Sequence, residues 1–390
     1  MESTTAAPNV LTDDEVMLRD TIRRFAEERV LPGELERDHA CRFHAELVAE
    51  LAEMGFLGIP VPEQYGGAGM STMCYALTVE EIAKVSGSLA LTLAAHTSLG
   101  TMPIVDFGTE EQKREFVPDL ASGKHLGSFA LTEPQAGSDS GATKTSATRD
   151  GDHYVLSGQK SWITNAGYAG SFVVTARTSA GKGSDGISAF LVRRGVPGFA
   201  IGEPEKKLGL HSSDSRPIFF DGCRVPAAQR LGPEGEGFKY FMKTLDRGRI
   251  VIGAMALGLA EGALACALKY AKERKTFGKE IAAHQAIAFK LADMATQIEA
   301  ARLLIHQAAR KKDAGLPFAR DAAMAKLFAS EMAMRVTSDA IQIHGGYGYT
   351  REYHVERMFR DAKLCTIGEG TSEIQRLVIS RSLVQEGLGY

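Results

Sequence analysis

Apolar and polar positions along this chain follow two periods, and the period changes twice. Up to about residue 127 the apolar positions recur at helical spacing. Thr12-Asp13-Asp14-Glu15 opens an amphipathic run to about Val30 with the signature of a capping box, and Thr109-Glu110-Glu111-Gln112 opens another. Residues 43–54 are apolar on one face, whereas 70–100 are apolar nearly all round, which predicts burial between other helices. The loop Pro60-Val61-Pro62-Glu63-Gln64-Tyr65-Gly66-Gly67 interrupts the helical pattern. From about 128 to 230 short β-rich runs appear at 154–157, 171–176, 187–192 and 218–220. Asp150-Gly151, Ser184-Asp185-Gly186 and Asp221-Gly222 supply turn chemistry between them. Beyond Gly235 helical periodicity returns, at about 238–273, 284–313, 318–343, 352–363 and 372–385. Helices this long want partners, so an antiparallel bundle is expected. Helices, then strands, then helices argue against alternating βαβ units. The expected fold is α+β and multidomain. It comprises an N-terminal α-helical domain (1–127), a middle antiparallel β domain (128–232) and a C-terminal four-helix-bundle-like domain (233–390).

Composition narrows the function classes. The chain has 390 residues, 44% hydrophobic and 24% charged, as in ordinary globular proteins. A net charge of −3 gives no global attraction to nucleic acid or acidic membranes. The longest apolar runs, such as 250–260, fall short of the ~20 residues that span a bilayer, so no membrane insertion is expected. The N-terminal residues MESTTAAPNV resemble neither a secretory signal nor a transit peptide. Five widely spaced cysteines without a C-x-x-C read as reduced thiols, and a cytoplasmic location is expected.

Several chemistry-like patterns lack their context. Gly181-Lys182-Gly183-Ser184-Asp185-Gly186 matches G-x-G-x-x-G, but it leads into a strand rather than a helix and reads as a hairpin loop. His39, Cys41 and His44 lack a second half at zinc-like spacing, so no metal site is expected. Neither H-E-x-x-H nor G-x-S-x-G occurs.

One carboxylate stands apart. Glu369 lies between Gly368 and Gly370 just ahead of a helix start. Two readings fit it: an acid favoured by the macrodipole of that helix, or a carboxylate presented closely to a ligand on a bend freed of side-chain bulk. Other segments are hard to explain by packing. Leu131-Thr132-Glu133-Pro134-Gln135-Ala136-Gly137-Ser138-Asp139 sets hydroxyls around a Pro/Gly turn, and Lys160-Ser161-Trp162-Ile163-Thr164-Asn165 holds the only tryptophan. Arg274-Lys275-Thr276-Phe277-Gly278-Lys279 ends a helix with groups that suit phosphate oxygens, although cations at a helix C-terminus also suit its dipole. Ile343-His344-Gly345-Gly346-Tyr347-Gly348 lets backbone approach a ligand.

Together these motifs resemble the acyl-CoA dehydrogenase family, over essentially the whole chain and in family order. The resemblance implies FAD bound between the β domain and the C-terminal bundle, in a homotetramer built as a dimer of dimers. Thr132 and Ser138 match positions that touch the flavin, its phosphates or the substrate, and Trp162 and Thr164 match the pair against the isoalloxazine. Arg274, Thr276, Phe277, Gln285, Gln342 and Gly346 match cofactor contacts, several of them made across subunits. Thr371 and Glu373 match positions near the pyrophosphate and ribose. Asp246 and Arg249 match positions that meet CoA, and Gly368 and Gly370 flank the substrate. Glu369 matches the base that removes the α-proton while the β-hydrogen leaves as hydride to flavin N5. The implied product is a trans-2-enoyl-CoA, with electrons passed to an electron-transferring flavoprotein.

Two departures carry information. Some members place the base at the position matching Gly248, and glycine cannot serve. Many carry tyrosine before the base, where this chain has Gly368, which would leave room beside the substrate α/β carbons. The helix around 91–96 is expected to line the pocket floor with Leu91, Thr92 and Ala95. No Lys or Arg lies between Lys84 and Lys113, which disfavours a dicarboxylate. The expected substrate is a short- to medium-chain acyl-CoA, straight or simply branched. The rivals are an acyl-CoA oxidase, usually much longer, and a flavin-bearing nucleic-acid-binding relative, which carries a basic C-terminal region that residues 386–390 do not provide.

Overall fold

The computed structural model describes residues 11–181 and 183–387, so the N-terminal ten residues, Lys182 of the glycine-rich loop and residues 388–390 lie outside the description. Both capping boxes form. Thr12 N–H donates to Glu15 Oε2 (3.0 Å) and Glu15 N–H to Thr12 Oγ1 (3.3 Å), and Thr109 and Gln112 repeat the exchange. These start the helices Asp13–Phe25 and Glu110–Ala121.

The long apolar segment at 70–100 is two helices, Thr72–Ala83 and Gly87–Ala94, with Ser86 Oγ accepting from Leu89 N–H to restart the second. Every residue of Thr72–Ala83 is buried. Its first turn is capped from far away in sequence, where the Asp313 carboxylate accepts from Thr72 N–H (2.8 Å) and Met73 N–H (3.0 Å). Asp313 ends the helix Gln285–Asp313, so the first and last parts of the chain are tied where both need partners.

The C-terminal helices Gly237–Glu273, Gln285–Asp313, Ala319–His344, His354–Cys365 and Ser372–Glu386 fall close to their expected ranges. They do not form a core of their own. Ile22, Leu77 and Leu89 pack in one continuous cluster with Met255, Ile305 and Ala333. A helix that is apolar all round must be covered on every side, and the C-terminal helices provide that cover.

The middle region is an eight-stranded sheet. Most pairings are antiparallel, as in His153–Thr164 with Ser215–Pro226 and Ala169–Arg177 with Ile187–Arg193. The expectation of a purely antiparallel sheet needs correction, because Leu126–Ala130 runs parallel to Ala169–Arg177 and Ser146 pairs parallel to Arg177. A strand entering from the helical part can join the sheet parallel because a long connection separates it from its neighbour. The glycine-rich loop at 181–186 joins two antiparallel strands, and Arg177 donates to the carbonyls of Gly181, Gly183 and Asp185.

Two helical stretches, Gly87–Phe107 and Gly237–Glu273, are long and apolar enough to cross a membrane, contrary to the expectation from single apolar runs. Their windows are 89% and 78% buried inside the protein. Their apolarity serves internal packing.

Candidate active site

The helix His354–Cys365 closes with Gly368 N–H donating to Leu364 O (2.8 Å), and the next helix is capped by Thr371 Oγ1, which accepts from Ile374 N–H (3.3 Å). Between them Glu369 has φ +54°, a left-handed conformation that costs a non-glycine residue roughly 1–3 kcal/mol. Its neighbours hold it there. Gln375 Nε2 donates to Glu369 O (3.3 Å) and to Gly370 O (2.9 Å), and Lys326 Nζ donates to Gly370 O (2.6 Å). Gly370 has φ +95°, and a Cβ there would lie 2.7 Å from Gln375 Nε2. Among the described residues nothing accepts from the Glu369 N–H.

Glu369 is half-buried at a cavity, and its Oε2 is buried and without a hydrogen-bond partner. Burial raises the carboxyl pKa to about 7, against the downward pull of the Lys326 and Arg249 charges. The carboxylate lies over Gly248 on the helix Gly237–Glu273.

The cavity measures about 650 Å³. Thr132, Ser138, Trp162, Thr164, Arg249, Gly368, Glu369, Gly370 and Thr371, all singled out in sequence, line it. Apolar walls come from Leu91, Ala95, Leu99, Phe129, Met242, Leu245 and Ile252. Thr92, expected on the floor, turns away: it is buried against His44 Nε2 (3.0 Å) and donates to Ser88 O. Leu99 takes its place because residues Ala95–Thr101 form a π turn. A four-residue step overshoots a full revolution in an α turn and falls short of it in a π turn, so 91, 95 and 99 stay on one line.

The hydroxyl-bearing loop is pinned from beneath. Lys160 Nζ, fully buried, donates to Glu133 Oε1 (2.7 Å), Thr175 Oγ1 (3.0 Å) and Leu131 O (3.2 Å). Glu133 also accepts from Lys144 N–H and Thr145 N–H, so one carboxylate gathers both ends of the loop. The Lys160 charge and these donors outweigh burial and hold its pKa at about 2. Next to Lys160 the register of the strand His153–Thr164 shifts, and Trp162 takes φ +57° and is 58% exposed at the cavity.

Other candidates lie elsewhere. Arg274, Thr276 and Gly346 line a separate surface cavity of about 510 Å³ with Tyr270 and His344. Phe277 is 96% exposed, and Gln285, Gln342 and Glu373 are exposed, none of them lining the Glu369 cavity. Asp246 does not line it either, because it turns three residues along its helix to pair with Arg249. Sequence reasoning missed Lys326, Gln375 and the Lys160–Glu133 pair. The available signal was a charged or amide side chain on an otherwise apolar stripe, as at Lys326 among Ala322, Ala325, Ala329 and Ala333.

The donor set fits a flavin: an exposed aromatic residue at Trp162, hydroxyls at Thr132, Ser138, Ser161 and Thr164, and apolar walls in the same cavity. A desolvated carboxylate facing such a cavity is a group able to move a proton to or from a weakly acidic one. The chain belongs to the acyl-CoA dehydrogenase family: its N-terminal, middle and C-terminal domain models match residues 12–124, 128–223 and 235–384. Membership makes the protein an oxidoreductase with FAD as cofactor. A short-chain-specific acyl-CoA dehydrogenase from Clostridium acetobutylicum is 49% identical, covering 95% of this chain and 98% of its own length. Butyryl-CoA dehydrogenase from Megasphaera elsdenii superposes with a TM-score of 0.95 at 47% identity, over 96% of this chain and 99% of that one. A chain from a structure described as the electron transferring flavoprotein of Acidaminococcus fermentans gives 0.95 at 49% identity, over 97% and 99%.

Proposed function

We propose that this protein dehydrogenates a short- to medium-chain acyl-CoA, straight or simply branched, to the trans-2-enoyl-CoA, with Glu369 as the base. The observation that carries the reading is the buried, unpartnered Oε2 of Glu369 at the cavity wall. A thioester α-proton is too weakly acidic for a carboxylate in water. A desolvated carboxylate binds a proton more tightly, and the free N–H of Glu369 is available to polarise the thioester carbonyl. FAD, when bound, supplies the acceptor for the β-hydride. Trp162, Thr164, Thr132 and Ser138 would hold the flavin, with Thr371 at its phosphate-bearing end.

The apolar line of Leu91, Ala95 and Leu99 suits an uncharged acyl chain, and the short-chain and butyryl names of the relatives favour the same range. Electrons would pass to an electron-transferring flavoprotein. The second cavity, at Arg274, Thr276 and Gly346, suits cofactor phosphate from a neighbouring copy in a homotetramer, with Phe277, Gln285 and Gln342 exposed beside it and Glu373 near the helix start. The three domains are taken as 1–127, 128–232 and 233–390, and the location as cytoplasmic.

Purified protein should carry flavin absorbance that bleaches anaerobically with some member of an acyl-CoA panel. Rapid return of colour in air would mark an oxidase instead. A protein that stays unbleached after flavin reconstitution would overturn the proposal.

A further inference from the structure

Lys326 lies on the helix Ala319–His344, and none of its side chain reaches the surface. A buried ammonium is costly unless charge and hydrogen bonding compensate it. Its direct partner is the carbonyl of Gly370, at 2.6 Å. Gln375 already donates to that carbonyl, so a neutral brace would suffice to hold the turn. What an ammonium adds is charge, and the charge faces the active-site turn. Glu369, Glu373 and Cys365 stand around it, with Arg249 approaching from the helix Gly237–Glu273 and Tyr75 facing Glu369 from Thr72–Ala83.

We propose that Lys326 is the positioning residue of the Glu369 turn: its ammonium fixes the Gly370 carbonyl and supplies the buried positive charge against which the base works. This rests on Glu369 being the base. Burial alone drives the carboxyl toward a permanently protonated state, in which it could not accept the α-proton. Arg249 offsets part of that, but it is itself paired with Asp246. Lys326 has no carboxylate bonded to it among the described residues, so its charge stays directed at the turn. The pull is mutual: Glu369 favours the charged lysine, whose own pKa burial lowers to about 8.

The test uses flavin-loaded protein and three variants. Lys326→Met removes charge and donor, Lys326→Gln keeps a donor and removes the charge, and Lys326→Arg keeps both. Two readouts are taken for each: the pH profile of anaerobic bleaching by butyryl-CoA, and the titration of the Glu369 carboxyl by infrared difference against a Glu369→Gln reference. Lys326→Met and Lys326→Gln should move both curves to higher pH by about one unit, and Lys326→Arg should restore them. A folded Lys326→Gln protein that titrates like wild type overturns the proposal. Should the neutral variants fail to fold, the reciprocal reading decides. Lys326, followed by NMR at a labelled Cε, must titrate at lower pH in Glu369→Gln than in wild type, and identical curves overturn the proposal. The infrared titration does not depend on turnover, so an enzyme bleached by no acyl-CoA would defeat the functional reading separately.

Discussion

A Cβ placed on Gly248 would lie 1.7 Å from Oε2 of Glu369 and 2.8 Å from its Cδ. The helix Gly237–Glu273 and the 368–370 turn meet where there is room for one side chain only. Glycine at 248 is therefore the condition for Glu369 to stand where it does. Replacing Gly248 by alanine must push the carboxylate aside. We expect bound flavin to persist while bleaching by acyl-CoA slows on the order of 10²-fold, the effect of about an ångström of misplacement. Stopped-flow reduction with near-normal rates would contradict this geometry.

Glu369→Gln removes the proposed proton acceptor at nearly constant shape. Flavin content and acyl-CoA binding should survive, while reduction falls roughly 10²–10⁴-fold. In wild type the base must be ionised to act. With its pKa near 7, the reduction rate should fall as pH drops through about 7. A rate independent of pH between 5 and 9 would count against the assignment.

The same shift has a stability consequence of definite sign. The folded carboxyl keeps its proton to about pH 7, whereas the unfolded one loses it near 4.5. Between those values the folded state binds more protons, so stability declines as pH rises, by about 3 kcal/mol in all. Glu369→Gln should match wild type in melting temperature near pH 4 and exceed it at pH 8. Parallel melting curves across that range would show that the carboxyl is not desolvated.

Lys160→Met leaves Glu133 charged and buried without its cation. We expect a loss of about 3–5 kcal/mol in unfolding free energy, together with weaker flavin retention because the Thr132–Ser138 segment is freed. Denaturant unfolding and flavin release on dilution measure the two effects.

At Gly368 the atoms nearest to a Cβ would be those of Leu364, at 3.5 Å or more, which is ordinary contact. Gly368→Tyr should therefore fold and fill the space beside the substrate, narrowing the acyl-CoA profile at its bulkier end. An unchanged profile would remove Gly368 as a determinant of specificity.

The reach of the sequence shows at particular residues. Capping boxes at Thr12 and Thr109 were legible because they use neighbours three residues apart. The parallel entry of Leu126–Ala130 and the π turn that exchanges Thr92 for Leu99 were not, since each depends on elements far away in sequence. Glu369 stood out through its glycines. Lys326, whose side chain reaches the Gly370 carbonyl of that turn only after folding, carried no local mark beyond a charge on an alanine stripe.

By itself, then, the sequence determined the helix–strand–helix order, the motifs that mark the family and the glycines that let Glu369 adopt its turn, because these follow from local period and backbone freedom. The tertiary structure alone decided how strongly that carboxylate holds a proton. The Lys326 and Arg249 charges and the space over Gly248 come from segments 43 to 121 positions away, burial draws on segments farther still, and desolvation is a property of the assembled interior. It likewise kept Arg274, Thr276 and Gly346 on a surface apart from Glu369, a separation set by where the long helices end rather than by any local pattern.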